Sequence, residues 1–83
     1  MEFALQVDVT LREGIADPAG ATIERALPAL GFSGVHRVRA GKTFLFAVEA
    51  PDEAAARAVA ADLAARLLSN PVIEDARVRG DVS

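Results

Sequence analysis

The first eleven residues alternate between apolar and polar side chains. The apolar ones lie at every second position: Phe3, Leu5, Val7, Val9 and Leu11. The positions between them are small or polar: Ala4, Gln6, Asp8 and Thr10. A period of two residues with one polar face is typical of a strand that buries its other face. We therefore predict a β-strand over residues 3–11 and a loop over residues 12–16.

A helical period follows this loop. Asp17 and Pro18 form a favourable helix start, with Asp17 as the N-cap and Pro18 at the first helical position. Apolar residues at i, i+3, i+4 and i+7 predict a stripe that faces a core; they are Ile23, Ala26, Leu27 and Leu30. Pro28 removes a backbone donor inside this helix. We therefore expect a kink or a 3₁₀ last turn before Gly31 ends the helix.

A second helix is predicted to begin at Asp52, its N-cap, and to run to about Leu68. The spacing i, i+4 indicates an apolar stripe of Val59, Leu63 and Leu67. Alanines flank this stripe on the helix surface: Ala55, Ala56 and Ala60.

Residues 34–49 look extended, with an interruption around Gly41. Either two strands meet in a tight turn at Gly41, or one long strand bends there. Both faces of the second half are apolar, with Phe44, Phe46 and Val48 on one face and Leu45 and Ala47 on the other. A strand in a sheet that carries helices on one side normally has one wet face. We therefore expect Phe44, Leu45, Phe46 and Ala47 to contact another chain.

The end of the chain completes a recognisable order of elements. A turn is predicted at residues 69–71 and a last strand from Val72 to about Arg79, with residues 80–83 as a frayed tail. The resulting β-α-β-β-α-β order is that of ferredoxin-like α+β folds, in which two helices pack on one side of an antiparallel sheet. We predict a single domain over residues 1–83 that oligomerises through strand or sheet contacts.

The composition indicates that this domain needs partners. The chain has 83 residues, of which 52% are hydrophobic, yet only 5% are aromatic and none is cysteine. Much of the hydrophobic content is alanine, which buries little area. Domains of this size are often marginal unless disulfides, metals or partner chains add stability. Because disulfides and thiolate metal sites are excluded, partner chains remain the expected source.

The charge pattern excludes two classes of partner. Twelve acidic and nine basic residues give a net charge of −3 and are well mixed along the chain, whereas nucleic-acid binders usually carry a basic face. No apolar run approaches the roughly 20 residues of a membrane helix, and the N-terminus lacks the zones of a signal peptide. We therefore expect a cytoplasmic protein that binds neither nucleic acid nor membrane.

No residue pattern predicts catalysis, a cofactor site or a metal site. His36 is the only histidine and has no catalytic partner at a recognisable spacing. One histidine and scattered carboxylates form no set of metal ligands. The pair Gly31 and Gly34 follows a helix, whereas a phosphate-binding loop opens one. We expect a chain that works by packing against other chains.

Three segments together carry a family resemblance. They read D-P-A-G-A-T-I-E-R-A-L-P-A-L-G-F at 17–32, V-H-R-V-R-A-G-K at 35–42 and L-L-S-N-P-V-I-E-D at 67–75. Their sequence and order closely resemble the PurS subunit family of bacterial phosphoribosylformylglycinamidine synthase. Pro28 departs from the family pattern, where an ordinary helix-forming residue is expected.

The resemblance implies a non-catalytic accessory subunit in de novo purine biosynthesis. The ATP-dependent synthetase of that complex is a separate chain, PurL, and the glutaminase is another, PurQ. The small subunit forms homodimers or homotetramers, bridges PurL and PurQ and assists ammonia transfer. It holds no cofactor, because ATP, Mg²⁺ and glutamine are used by the partner subunits. This chain would thus be a subunit of a C–N ligase without an active site of its own.

The family motifs also single out four further residues as candidate contacts. Arg39 and Lys42 match the bend between the middle strands, and both are charges expected at the surface. Asn70 and Pro71 match the start of the last strand. The main alternative is a regulatory domain of the ACT type, which has the same element order and binds a small molecule. A Gly-rich loop is usual there, whereas residues 12–18 contain one glycine.

Overall fold

The structure is a computed structural model that describes residues 1–80; residues 81–83 of the predicted tail lie outside the described part. The strands are β1 (Glu2–Leu11), β2 (Gly41–Glu49) and β3 (Glu74–Gly80). The helices are α1 (Pro18–Ala26) and α2 (Glu53–Leu63). A 3₁₀ turn, Pro28–Leu30, follows α1, and a π-helical turn, Ala64–Leu68, extends α2. The prediction of a 3₁₀ last turn at Pro28 is therefore confirmed.

The three strands form an antiparallel sheet in the order β2-β1-β3. Leu5 lies opposite Phe46, and Val7 lies between Phe44 and Val78. The alternation predicted for β1 is confirmed, since Leu5, Val7 and Val9 are at most 1% exposed. The α+β class is confirmed as well. Among the described strands, β2 and β3 are the two edges of the sheet.

Alanines of α2 form its contact with the sheet. Asp52 caps this helix as predicted, because its Oδ1 accepts a hydrogen bond of 2.7 Å from the Ala55 N–H. The buried stripe consists of three residues that are at most 2% exposed: Ala56, Ala60 and Ala64. They pack in two clusters against the buried apolar side chains of β1 and against Val48. The methyl side chains of the alanines let the helix backbone approach the sheet closely. The valine and leucine side chains of the sheet fill the space between the helix and the sheet.

The larger apolar residues of α2 therefore lie outside the centre of its contact with the sheet. Val59 is 50% exposed and Leu67 is 74% exposed, while Leu63 is half-buried. The stripe predicted from the i, i+4 spacing exists, but the alanines beside it, and not the stripe itself, form the centre of the buried face. The spacing does not distinguish the two stripes, since the alanines recur with the same period.

Helix α1 packs differently from the prediction. Its N-cap Asp17 and first residue Pro18 are as expected, and Gly31 ends the helical segment with φ 89°. Its apolar stripe, however, is open to solvent, with Ile23 50% exposed and Leu30 70% exposed. The expectation that this stripe faces the core of its own chain is wrong.

The segment before β2 forms no strand within the chain. Residues 34–40 carry no regular structure, and Arg37 has a left-handed φ of 56° that interrupts an extended course. Gly41 begins β2, so neither alternative predicted for residues 34–49, a tight turn between two strands or one long bent strand, is met. A Cβ at Gly41 would lie 2.5 Å from the Val9 carbonyl oxygen, which explains why a glycine starts this strand.

Residues 12–40 thus project from the end of the sheet, and we call them the arm. The chain measures 51 × 29 × 14 Å, with a radius of gyration of 16.0 Å. A compact chain of this length would have a radius of gyration of about 12 Å. No helix within residues 1–80 is long and apolar enough to cross a membrane. The chain is an open body with an extension, in which one helix covers one face of a three-stranded sheet.

Because Ala60 is buried against the sheet, a larger side chain at this position should destabilise the fold. We expect Ala60→Leu to lower the free energy of unfolding by about 1–3 kcal/mol, because added atoms in a closely packed contact force side chains and backbone apart. Urea unfolding followed by circular dichroism measures it. The control is Ala58→Leu, at an exposed position of the same helix, which should change the value by at most about 0.5 kcal/mol. Equal effects of the two substitutions would contradict the packing described.

Candidate functional site

Arg39 fixes the direction in which the arm leaves the sheet. Its Nη2 donates to the carbonyl oxygens of Leu11 at 2.5 Å and Arg12 at 3.2 Å. Its Nε lies 3.7 Å from Asp17 Oδ2. The guanidinium thus joins the end of β1 to the start of α1. Arg39 was predicted as a partner contact, and the structure places its donors on groups of its own chain.

Two carboxylates hold the segment before β2 against α1. Asp17 accepts from the Gly20 N–H at 3.0 Å and from the Ala40 N–H at 2.8 Å. These hydrogen bonds to the anionic form, from Gly20 first and Ala40 second, lower the pKa of Asp17, and the charge of Arg39 adds to the effect. Glu24 Oε1 accepts from the Val38 N–H at 2.9 Å. The arm is therefore tied together by hydrogen bonds between its helix and its returning segment.

Gly20 makes this close contact possible. It is the only buried residue of α1, and a Cβ there would lie 2.5 Å from the Val38 carbonyl oxygen and 2.7 Å from Asp17 Oδ2. Any larger residue would push the returning segment away from the helix. The sequence prediction gave Gly20 no more than a place in the family motif, since only the fold shows what passes over it.

A second group of polar contacts lies at the same end of the sheet. Pro71 accepts two hydrogen bonds through its carbonyl oxygen, from Arg12 Nε at 3.1 Å and Arg12 Nη2 at 2.8 Å. Asn70 Oδ1 accepts from the Val72 N–H at 3.1 Å. Lys42 Nζ lies 3.7 Å from Glu74 Oε2. Asn70, Pro71, Lys42 and Arg39 thus come together around the end of β1, where the arm, β2 and the last turn meet.

Arg12 is the residue in this region that the sequence interpretation missed. It links the end of β1 to the turn before β3, and its Nη2 also lies 3.6 Å from Asp75 Oδ1. Its position directly after the predicted strand is the only sequence signal for this role. The region can bind and orient chain segments, because its charges are paired with groups of opposite sign or with carbonyl oxygens.

The α2 side of the sheet carries exposed or half-buried apolar side chains from both β2 and α2. Phe44 and Phe46 are half-buried on the α2 side of the sheet. On α2, Ala61 and Ala65 line a cavity of about 280 Å³ with residues of β3, so this flank of the helix faces β3. Half a turn round the helix, the opposite flank faces the β2 side and carries three residues: Val59, Leu63 and Leu67. We call these three residues, with Phe44 and Phe46, the β2 groove.

Leu45 and Ala47 lie on the other face of the sheet. Leu45 is 68% exposed beside Gln6, and Ala47 pairs with Ala4. The rest of this face is polar and centred on Asp8. Its Oδ1 accepts from Gln6 Nε2 at 2.8 Å and Thr43 Oγ1 at 2.9 Å, and Arg79 Nε lies 3.1 Å from its Oδ2. The hydrogen bond from Gln6, then that from Thr43, lowers the pKa of Asp8.

The two apolar faces predicted for β2 therefore belong to two different surfaces of the chain. Phe44 and Phe46 belong to the β2 groove, while Leu45 and Ala47 form a small apolar patch at one end of a polar face. Within residues 1–80, no three histidine or carboxylate side chains are grouped where they could hold a metal ion. His36 is exposed on the arm. These surfaces are suited to binding other polypeptide.

Comparison with known proteins gives these surfaces a context. A family model described as PurS, phosphoribosylformylglycinamidine (FGAM) synthase, matches residues 4–81. The chain belongs to the PurS family. The resemblance carried by the three sequence segments is thereby confirmed.

Individual PurS proteins agree along nearly the whole chain. The PurS subunit of Synechocystis is 43% identical over 73 residues, which are 88% of this chain and 73% of the relative. The crystal structure of the Thermotoga maritima PurS subunit superposes with a TM-score of 0.90 at 34% identity, covering 98% of this chain and 93% of that one. A chain in the structure of PurLQS from the same organism gives a TM-score of 0.89 at 34% identity, covering 98% and 99%. The open form with its projecting arm thus belongs to a fold that solved PurS structures share.

The hydrogen bonds that the Asp17 carboxylate accepts predict that part of the folding stability is lost in acid. Its pKa is lower in the folded chain than the value of about 3.9 in an unfolded one. The ionised form is therefore favoured by folding, and its contribution is complete above about pH 4 and is lost as the pH falls through the lowered pKa. We expect Asp17→Asn to be less stable than the parent chain at pH 7, with a difference that shrinks towards pH 2.

Urea unfolding at a series of pH values measures this difference. The carboxylate of Asp8 is present in both proteins, so its own titration cancels in the comparison. A difference in unfolding free energy that stays constant from pH 7 to pH 2 would contradict the role assigned to the Asp17 carboxylate.

Proposed function

We propose that this chain is the non-catalytic PurS subunit of a phosphoribosylformylglycinamidine synthase in de novo purine biosynthesis. The observation that carries the proposal is the combination of family membership with an arm and a groove whose apolar side chains are open to solvent. A subunit that acts by assembly needs such surfaces, because large exposed apolar areas are typical of protein contacts.

The partners proposed are the synthetase PurL and the glutaminase PurQ. A chain of similar fold is part of the structure of PurLQS from Thermotoga maritima, which supports an assembly of the three. In that assembly this chain bridges PurL and PurQ and assists the transfer of ammonia. ATP, Mg²⁺ and glutamine act on the partner chains, and the complex works in the cytoplasm.

Self-association is the second part of the proposal. We place the chain in the complex as a homodimer or a homotetramer. The β2 groove, the arm and the patch around Leu45 offer separate surfaces on one small chain. A chain with several such surfaces can contact copies of itself through one and different subunits through another.

Reconstitution tests the proposed function. PurL and PurQ from the same organism are mixed with the chain, and amidine formation is followed with glutamine and, separately, with ammonium salt as the nitrogen source. We expect the glutamine-dependent rate to rise by about tenfold or more, since ammonia transfer depends on positioning the two subunits. The ammonia-dependent rate of PurL should change less. Size-exclusion chromatography should show the three chains eluting together.

The control replaces the chain by an unrelated small acidic protein at the same concentration. A full glutamine-dependent rate without the chain, together with separate elution, would contradict the proposal.

A further inference from the structure

The turn before β3 exposes an apolar side chain at its centre. Val72 is 81% exposed, which is the highest fraction of any large apolar residue in residues 1–80, and the neighbouring Ile73 is 36% exposed. We call residues 70–73 the β3 turn. One exposed valine is ordinary on a protein surface. The backbone of the β3 turn, however, differs from that of an ordinary exposed loop.

Every backbone N–H group of the β3 turn is hydrogen-bonded within the chain. The Asn70 N–H donates to Glu74 Oε1 at 2.7 Å. The Val72 N–H donates to Asn70 Oδ1 at 3.1 Å, and the Ile73 N–H donates to the Asn70 carbonyl oxygen at 3.0 Å. An Asn side chain that bonds the backbone two residues on is typical of tight turns. Pro71 has no N–H group to satisfy.

Arg12 pairs with two carbonyl groups of the same turn. Its side chain donates to the Pro71 carbonyl oxygen twice, at 3.1 Å from Nε and 2.8 Å from Nη2. Its backbone N–H donates to the Ile73 carbonyl oxygen at 2.8 Å. The Asn70 carbonyl oxygen accepts from the N–H groups of Ile73 and Glu74. Three of the four carbonyl groups of the β3 turn therefore have partners within residues 1–80.

Such hydrogen bonds are those expected of a segment that becomes buried. Exposed loops run over the surface, where water satisfies their backbone polar groups, whereas an unpaired polar group costs free energy when apolar surface covers it. In the β3 turn the bonds are already made within the chain, so another molecule covers Val72 without leaving a backbone donor unpaired. The same bonds fix the turn in advance, which lowers the entropy cost of binding.

The cavities of the chain itself suit an apolar side chain poorly. A cavity of about 690 Å³ has charged groups in its lining, among them Asp8 and Arg77. Another of about 330 Å³ is lined in part by Glu24 and Arg25. The cavity of about 280 Å³ already adjoins the β3 turn through Pro71. The β2 groove is apolar, and contact with the groove of a second copy is the alternative that the experiment below separates.

We propose that the β3 turn docks Val72 in an apolar pocket of a different subunit of the synthase. The inference rests on the proposed function, because it needs PurL and PurQ as partners. A chain of similar fold is part of the structure of PurLQS from Thermotoga maritima, which supports a contact with a different subunit. Val72 is the anchor of this contact, and Pro71 and Ile73 lie beside it. Arg12 is a positioning residue that holds the turn in the shape that binds.

Substitutions of Val72 test the contact. PurL and PurQ from the same organism are titrated, separately and together, against the parent chain and its variants, and surface plasmon resonance gives the dissociation constants. We expect Val72→Ala to raise the dissociation constant for PurL or PurQ by about tenfold, because two buried carbon atoms are lost. Val72→Asp should raise it by about a hundredfold or more, because an unpaired charge would be buried. Circular dichroism should match the parent chain, since the side chain is 81% exposed.

The matched control is Ala58→Asp, which introduces the same charge at an exposed position of α2 and should leave the dissociation constants nearly unchanged. Sedimentation equilibrium of each variant alone should give the mass of the parent chain. Affinities of Val72→Asp for PurL and PurQ equal to those of the parent chain would overturn the proposal. A lower mass of Val72→Asp alone would overturn it as well, because Val72 would then lie between copies of this chain.

Hydrogen exchange gives a second, independent measurement of the preformed turn. In the chain without partners, the amide protons of Asn70, Val72 and Ile73 should exchange at least about tenfold more slowly than in an unfolded chain, because each is hydrogen-bonded. Arg12→Ala removes the two bonds to the Pro71 carbonyl oxygen. It should speed this exchange and weaken binding to PurL or PurQ by about fivefold, although Val72 is unchanged.

Fast exchange at all three amides of the parent chain would overturn the preformed turn. So would Arg12→Ala with the exchange rates and affinities of the parent chain. Co-elution of the parent chain with PurL and PurQ is a separate readout. Assembly of the parent chain together with equally tight binding of Val72→Asp would overturn the docking site alone, so its failure remains distinguishable from a failure of the proposed function.

Discussion

The close approach of α2 to β1 governs the shape of the whole chain. Ala56, Ala60 and Ala64 lie on Leu5, Val7 and Val9 with almost no surface left exposed. Because the small side chains are used for this contact, the large ones of the helix point to its flank. The buried core is complete but narrow, and one helix leaves the β2 side of the sheet uncovered. The apolar groove is a direct consequence of the alanine contact.

The arm depends on a different kind of interaction. Its helix is short and open to solvent on its apolar side, so burial within the chain contributes little to its order. Asp17 and Glu24 instead hold the returning segment by accepting N–H hydrogen bonds, and Arg39 ties that unit to the end of β1. Hydrogen bonds to ionised groups are stronger than neutral ones, which makes them suitable for holding a segment that lacks a core. The absence of a bulky group at Gly20 allows the segments to meet.

These two features together account for a protein that acts through contacts. The body and the arm each leave apolar surface open, and the polar residues at the end of β1 serve to orient one relative to the other. Membership of the PurS family and the presence of a chain of similar fold in the structure of PurLQS from Thermotoga maritima place such a chain among subunits of a larger enzyme. The exposed apolar side chains are distributed over the groove, the arm and the opposite sheet face, so a chain of 83 residues offers several separate apolar surfaces.

The sequence alone determined the local structure and the family. The alternation from Phe3 to Leu11, the caps at Asp17 and Asp52, the 3₁₀ turn at Pro28 and the end at Gly31 all follow from interactions between near neighbours in the chain. Three short segments sufficed to identify the PurS resemblance. The apolar character of both β2 faces was also evident, and with it the expectation of partner contacts.

Only the tertiary structure decided where the helices pack. Two stripes of α2 share the same period, and periodicity does not reveal that the alanines face the sheet while Val59 and Leu67 do not. The stripe of α1 predicted a core contact, yet Ile23 is 50% and Leu30 is 70% exposed, and no local signal states whether such a stripe is buried within its own chain. Arg39 was expected as a surface charge and Arg12 was not singled out, because their hydrogen-bond acceptors at Leu11, Arg12 and Pro71 are brought to them only by the fold. Interactions between residues distant in sequence decide these points, and they exist only once the chain has folded.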